Sequence, residues 1–178
     1  MAQQQPRMGE SPIDFALPDA GATVVLGAAL ARALLRTPRS GRVLHLQGEL
    51  GAGKTTCVRS LLRALGVDSP IRSPTYTLVE SYHPGGMSCV HVDLYRLGGA
   101  SEVDELGLAD YLEDDGLLLV EWPERGGTAV PPPDLLLRLS YCEDSRWARL
   151  EAPTVPGGQW LSILRDDTRL TPYLSNLT

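Results

Sequence analysis

The chain has 178 residues, 43% hydrophobic and 21% charged, the make-up of one globular domain long enough to bury a single core. Its formal net charge of −6 argues against broad, autonomous nucleic-acid binding, which needs a basic surface to release counterions, so any RNA is expected to be held by a partner. Cys57, Cys89 and Cys142 are odd in number and lack a C-x-x-C pair, which argues against a metal cage or disulfide framework and points to a reducing cytoplasmic setting; no apolar run approaches membrane-spanning length.

Residues 1–12 are polar, without the apolar stretch of a signal peptide, and read as a flexible leader before a domain expected over 13–152. Val25, Leu26, Ala29, Leu30, Ala33 and Leu34 recur at helical spacing, which predicts a helix over about 22–36. Arg42–Gln47 is a short apolar strand running straight into Gly48-Glu-Leu-Gly-Ala-Gly-Lys-Thr55. That run fits G-x-x-x-x-G-K-[ST], a phosphate-binding loop, and the following stripe of Cys57, Val58, Leu61, Leu62 and Leu65 predicts a helix ended by Gly66. Strand, glycine loop and helix stand in the order such a loop requires.

The chain has fifteen arginines and one lysine, and that lysine, Lys54, sits in the loop. Lysine offers a compact, mobile ammonium that reaches between two phosphates, where arginine offers a planar fork. Backbone N–H groups from Gly51 to Thr56 can cradle phosphate oxygens, Lys54 can bridge the outer two phosphates, and the Thr55 hydroxyl can bind magnesium. The bland alternative is a glycine-rich turn carrying a solvent-facing lysine.

Ser73–Tyr82 is strand-like, His83–Gly86 a turn, and Ser88–Asp93 a second strand, together an antiparallel hairpin. Ser73, Thr75 and Thr77 offer hydroxyls that could reach a γ-phosphate, as switch segments do, or are ordinary strand residues. Asp93 ends this strand, and Glu121 ends the continuous apolar run Gly116–Glu121, which suits a strand buried on both faces. Either carboxylate can contact a metal while the other orients attacking water, and the residues alone leave the order open. Arg96 can neutralise transition-state charge or pair with Glu102 or Asp104.

Residues 101–114 read as one or two short acidic helices. From Ser101 to Glu124 there are nine acidic residues and no basic one, a solvated face or a docking surface for a basic partner. Trp122 walls the nucleotide site or simply packs in the core. His45, His83 and His91 lack metal-ligand spacing and read as structural or exposed. After the Pro131–Pro133 break, Asp134–Tyr141 and Arg146–Ala152 suggest a final pair of strands. The Pro/Gly-rich tail, 153–178, is expected to be partly ordered at most, despite the cluster Trp160, Leu161, Ile163 and Leu164.

Taken in order, Leu17-Pro-Asp19, Ala22-Thr-x-x-Leu-Gly27, Gly48–Thr56, Ser73-Pro-Thr-Tyr-Thr-Leu-Val79, His91-Val-Asp-Leu-Tyr-Arg-Leu97, Glu105-Leu-Gly-Leu108 and Glu121-Trp-Pro-Glu-Arg125 resemble the bacterial TsaE (YjeE) family. That family is the ATPase subunit of tRNA threonylcarbamoyladenosine biosynthesis, and the match covers roughly residues 15–152. The resemblance implies an α/β fold of the small P-loop NTPase kind, a mixed sheet flanked by helices with an antiparallel hairpin. It implies ATP and Mg2+ as cofactors and weak hydrolysis stimulated by TsaD and TsaB, supporting repeated threonylcarbamoyl transfer to tRNA that is reached only through the complex.

By motif, Gly48, Gly51, Ala52, Gly53, Lys54, Thr55 and Thr56 carry over as the nucleotide cradle, and Asp93 and Glu121 as the acidic catalytic and metal-associated pair. Thr23 and Trp122 carry over as further nucleotide contacts, and Thr75 takes the switch-like role. A small-molecule P-loop kinase is the alternative, but no arginine-rich lid is evident between Asp93 and Glu121, where Arg96 stands alone. A guanine-reading Asn-Lys-x-Asp segment is missing, since the one asparagine is Asn176.

Overall fold

A computed structural model describes residues 10–38, 41–142 and 144–175, so most of the expected leader lies outside the described residues. The alternation Ile13, Phe15, Leu17 places three apolar side chains on one face and forms β1 (Ile13–Leu17), a strand not among the expected elements. Asp19 then accepts the Ala22 N–H at 2.8 Å and starts α1 (Ala20–Leu34), two residues earlier than the spacing predicts. β2 (Arg42–Gly48) leads through the glycine loop into α2 (Lys54–Ala64). Next come β3 (Val79–Tyr82), β4 (Cys89–Asp93), α3 (Ala100–Asp104), β5 (Leu117–Glu121), β6 (Leu135–Cys142), β7 (Ser145–Glu151) and α4 (Val155–Arg165).

The seven strands form one mixed sheet in the order β1-β7-β6-β2-β5-β4-β3. β6, β2, β5 and β4 run parallel in the middle, while β3, β7 and β1 attach antiparallel at the flanks. On one face α1, α2 and α4 bury Leu44, Leu46, Leu117, Leu119 and Leu137. On the other, Val43, Val90, Val92, Leu118 and Val120 are covered by Leu97, Val103, Leu108 and Val130 from the connecting segments. β5, buried at all five positions, sits between two parallel neighbours as its unbroken apolar run requires. The expected fold class is therefore the one found. Among the described residues no helix is long and apolar enough to cross a membrane.

Two expectations are corrected. Only Val79–Tyr82 of the run 73–82 is a strand; residues 74–77 turn, closed by the Leu78 N–H on the Pro74 carbonyl at 2.6 Å. Pro74 has no N–H for a ladder, and Leu78 holds φ 65°, outside strand geometry. The segment after Pro153 is no loose tail either: Thr154 accepts the Gly157 N–H at 3.1 Å and caps α4. Trp160, Leu161 and Leu164 are fully buried, and the Trp160 indole N–H donates to the Leu30 carbonyl of α1 at 2.9 Å. Farther on, the Ser175 N–H bonds the Asp14 carbonyl at 2.9 Å and covers the edge of β1.

Candidate functional site

β2, β4 and β5 are parallel, so their carboxyl ends meet at one edge, the usual place for a ligand crevice in an α/β sheet. Asp93 and Glu121 are register partners there, and Leu46, two residues before the loop, pairs with Glu121 on the other side. The cleft encloses about 270 Å3 between the loop residues Leu50, Gly51 and Gly53 to Thr56, with Ser73 and Thr75, on one side and Asp93, Tyr95, Glu121 and Trp122 on the other, while Ala52 is buried in the core and does not line it.

The loop owes its path to its glycines. Gly53 holds φ 108° at the N-cap of α2 and carries no side chain to cap it, so the first-turn N–H groups of Lys54, Thr55 and Thr56 stay open for a ligand. The Lys54 ammonium donates to the carbonyls of Gly48 and Glu49 at 2.7 and 2.8 Å and lies 4.1 Å from the centre of the Trp122 ring. At 4% exposure, Lys54 is no solvent-facing side chain. Burial pushes its pKa below the ordinary value, against the opposing pull of Glu121, Asp93 and Glu124.

Around it the polar side chains form two linked sets. The Thr55 hydroxyl donates to Glu121 Oε1 at 2.9 Å, and His91 Nε2 bonds the same oxygen at 2.8 Å. The Thr75 hydroxyl donates to Asp93 Oδ2 at 2.9 Å and is linked to Ser73 at 2.7 Å, while Asp93 Oδ1 accepts the Tyr95 N–H at 3.0 Å. Thr77 points elsewhere, to Glu80 at 3.0 Å. Arg96 lies 4.1 Å over the exposed Tyr76 ring instead of pairing with Glu102, which accepts the Gly98 N–H.

Trp122 has φ 59°, a left-handed conformation that costs a bulky residue about 1–3 kcal/mol. The turn sets the indole beside Lys54, with the Tyr95 ring centroid 5.1 Å away, so Trp122 is a wall of the cleft as well as a partner of the core beneath. Behind the loop, Thr23 of α1 is fully buried. Its methyl carbon and Arg146 Nε lie 3.4 and 3.5 Å from where a Cβ on Gly53 would stand. Thr23 Oγ1 and Arg146 Nε are both buried without a hydrogen-bond partner among the described residues. The Tyr141 hydroxyl would meet a Cβ on Gly51 at 2.6 Å.

Sequence reasoning missed His91, Tyr95, Tyr141 and Arg146. The first pair flanks Asp93 within two residues, inside the run His91-Val-Asp-Leu-Tyr-Arg-Leu97, which is the signal the sequence holds for them; nothing local marks the second pair. Cys57 and Cys89 are free and buried, their thiols pushed up to about 12, by burial in both and additionally by the Glu121 charge at Cys57. Among the described residues no group of three His, Cys, Asp or Glu is placed to hold a metal ion.

A family model described as threonylcarbamoyl adenosine biosynthesis protein TsaE matches residues 17–149. A Haemophilus influenzae protein named tRNA threonylcarbamoyladenosine biosynthesis protein TsaE is 37% identical over 147 residues, 82% of this chain and 93% of its own. A Streptomyces coelicolor protein of the same name is 44% identical over 132 residues, 72% of this chain and 88% of its own. The crystal structure of Bacillus subtilis YdiB superposes with a TM-score of 0.72 at 25% identity, covering 89% of this chain and 97% of that one.

Proposed function

The chain belongs to the TsaE family, and we propose that it is an ATP-binding, weakly ATP-hydrolysing subunit that serves threonylcarbamoyladenosine modification of tRNA together with TsaD and TsaB. The relatives' names support the pathway. The observation that carries the chemistry is the convergence of Lys54, Thr55, Asp93 and Glu121 on one cleft at the end of a glycine loop.

The donor set fits a magnesium nucleotide. Uncapped N–H groups at the start of α2 and the buried Lys54 suit a polyphosphate, and the unpartnered Thr23 Oγ1 and Arg146 Nε suit further polar contacts with a nucleotide seated on Gly53. Magnesium beside phosphates typically takes a hydroxyl, one or two carboxylates and water, so a three-residue protein cage is not required. When bound, the metal would draw charge from the β- and γ-phosphate oxygens.

Lys54 would exchange the Gly48 and Glu49 carbonyls for the outer phosphates, and Thr55 would turn its hydroxyl from Glu121 toward the metal. The Thr55 contact favours Glu121 on the metal side of the pair. Asp93, tied to Thr75, suits water orientation coupled to the turn 74–77 as a switch. Trp122 and Tyr95 would exclude water from one wall.

A net charge of −6 supports contact with tRNA only through the TsaD–TsaB complex, and the free thiols support a cytoplasmic setting. The test is release of inorganic phosphate from ATP, alone and with TsaD and TsaB. Slow release that rises on adding the partners supports the proposal. Partners that neither bind nor raise turnover would refute it, and transfer of phosphate to a metabolite would favour the kinase reading.

A further inference from the structure

We infer that His91 is a positioning residue for Glu121: it anchors one carboxylate oxygen and thereby fixes which oxygen faces the cleft. This rests on the hydrolytic reading of the site. On β4 the alternation puts Cys89, His91 and Asp93 on the face that lies under α2, where Cys89, Leu117 and Leu119 are apolar and fully buried. A polar ring at 0% exposure in such a layer is costly unless hydrogen-bonded, and packing alone does not call for one. Among the described residues His91 has one such bond, from Nε2 to Glu121 Oε1 at 2.8 Å, made diagonally across the β4–β5 pairing in which Asp93 faces Glu121.

The other ring nitrogen assigns the tautomer. His91 Nδ1 is buried with no partner among the described residues, so a proton there would be a donor with nothing to receive it. The tautomer both atoms tolerate carries its proton on Nε2, and Nε2–H donates to the carboxylate. Thr55 reaches both Glu121 oxygens, at 2.9 and 3.0 Å, and so does not distinguish them; His91 touches Oε1 alone. If Thr55 turns to a metal, the His91 bond is the one that keeps the carboxylate from swinging toward the nearby Lys54 ammonium. Oε2 is then left for the cleft. Ligand-bearing carboxylates are commonly held by such outer hydrogen bonds, and losing one typically costs 10–100-fold in affinity or activity.

The experiment compares wild type with His91→Leu, which keeps bulk but loses the donor, and His91→Gln, whose amide nitrogen can replace Nε2–H. Three quantities are read for each: kcat and KM for ATP with TsaD and TsaB, the ratio of nucleotide Kd with and without magnesium, and the melting temperature. His91→Leu is expected to lower kcat at least about tenfold and to shrink the magnesium-dependent gain in affinity, leaving magnesium-free Kd within about twofold. His91→Gln is expected to restore most of both. A His91→Leu protein equal to wild type in kcat and in the magnesium ratio overturns the inference. So does a well-folded His91→Gln as impaired as the leucine variant. Where His91→Leu does not fold, His91→Asn, whose shorter amide cannot reach Oε1, takes its place. A wild type that binds nucleotide yet releases no phosphate contradicts the hydrolytic reading, and the magnesium ratio then decides His91 separately.

Discussion

The hydroxyl of Thr55 donates to both carboxylate oxygens of Glu121, at 2.9 and 3.0 Å, and so joins the first turn of α2 to the end of β5. The two residues are far apart in sequence and come together because β2 and β5 are adjacent parallel strands. With Glu121 serving the reacting centre and its metal, Glu121→Gln should lower hydrolysis by about a hundredfold while magnesium-free nucleotide Kd changes less than about threefold. Steady-state kinetics beside calorimetric titration checks this, and equal losses in both would point to a binding or folding role.

Lys54 is buried, yet its hydrogen bonds go to loop carbonyls at Gly48 and the exposed Glu49, which water can reach once the side chain is gone. Lys54→Ala should therefore change nucleotide-free stability by no more than about 1 kcal/mol. The same variant should lose at least about tenfold in nucleotide affinity, and with it the rise in melting temperature expected of the wild type on adding nucleotide. Thermal melts with and without ATP separate the two effects; a matching loss without nucleotide would make Lys54 structural.

Burial lowers the pKa of His45 from 6.5 to about 4, opposed by its hydrogen bond to the Pro131 carbonyl. The unfolded chain binds this proton more readily than the folded one, so the contribution of His45 to stability is fully present above pH 6.5 and is lost as pH falls toward 4. At pH 5 the loss should be about 2 kcal/mol. His45→Gln keeps a donor without a titrating group, and its unfolding free energy should be flatter than the wild type's between pH 7 and pH 5. Identical slopes would mean that another group sets the dependence.

Gly27 lies where α1 crosses α2, and a Cβ there would run into the Cys57 carbonyl. Gly27→Ala should cost about 1–3 kcal/mol by forcing the helices apart. Because Thr23 is one turn earlier on α1 and its methyl lies 3.4 Å from where a Cβ on Gly53 would stand, the same change should also weaken nucleotide binding. Urea unfolding with a parallel Kd measurement tests both; stability and affinity equal to wild type would show that the helices yield without effect.

Trp160 joins α4 to α1 through full burial and its bond to Leu30. Trp160→Ala should destabilise the domain by about 3–5 kcal/mol in urea unfolding. A loss under about 1 kcal/mol would instead fit the tail, partly ordered at most, that composition suggests.

What could be read in advance was what is contiguous in the chain. The glycine loop with its flanking strand and helix, and the carboxylates at the ends of apolar runs, are local patterns. The register that brings Asp93 beside Glu121 and His91 within reach of Glu121 depends on strand order, which no local pattern carries. Arg146 and Tyr141 reach the loop from a hairpin more than eighty residues away. The threonines of 75–77 favour a strand by propensity, but Pro74 and the left-handed Leu78 make a turn. In the last helix the signal is present in Thr154 and the spacing of Trp160, Leu161 and Leu164, but the neighbouring prolines and glycines carry an opposing, loop-favouring one.

The most direct test follows threonylcarbamoyladenosine formed on tRNA over many cycles by TsaD and TsaB, supplied with this chain, with its Glu121→Gln variant, or with neither. Sustained product from the wild type, and a stall after about one cycle with a variant that still binds ATP, is the result expected if hydrolysis at this cleft resets the complex. A Glu121→Gln protein that sustains the reaction as well as the wild type would contradict it.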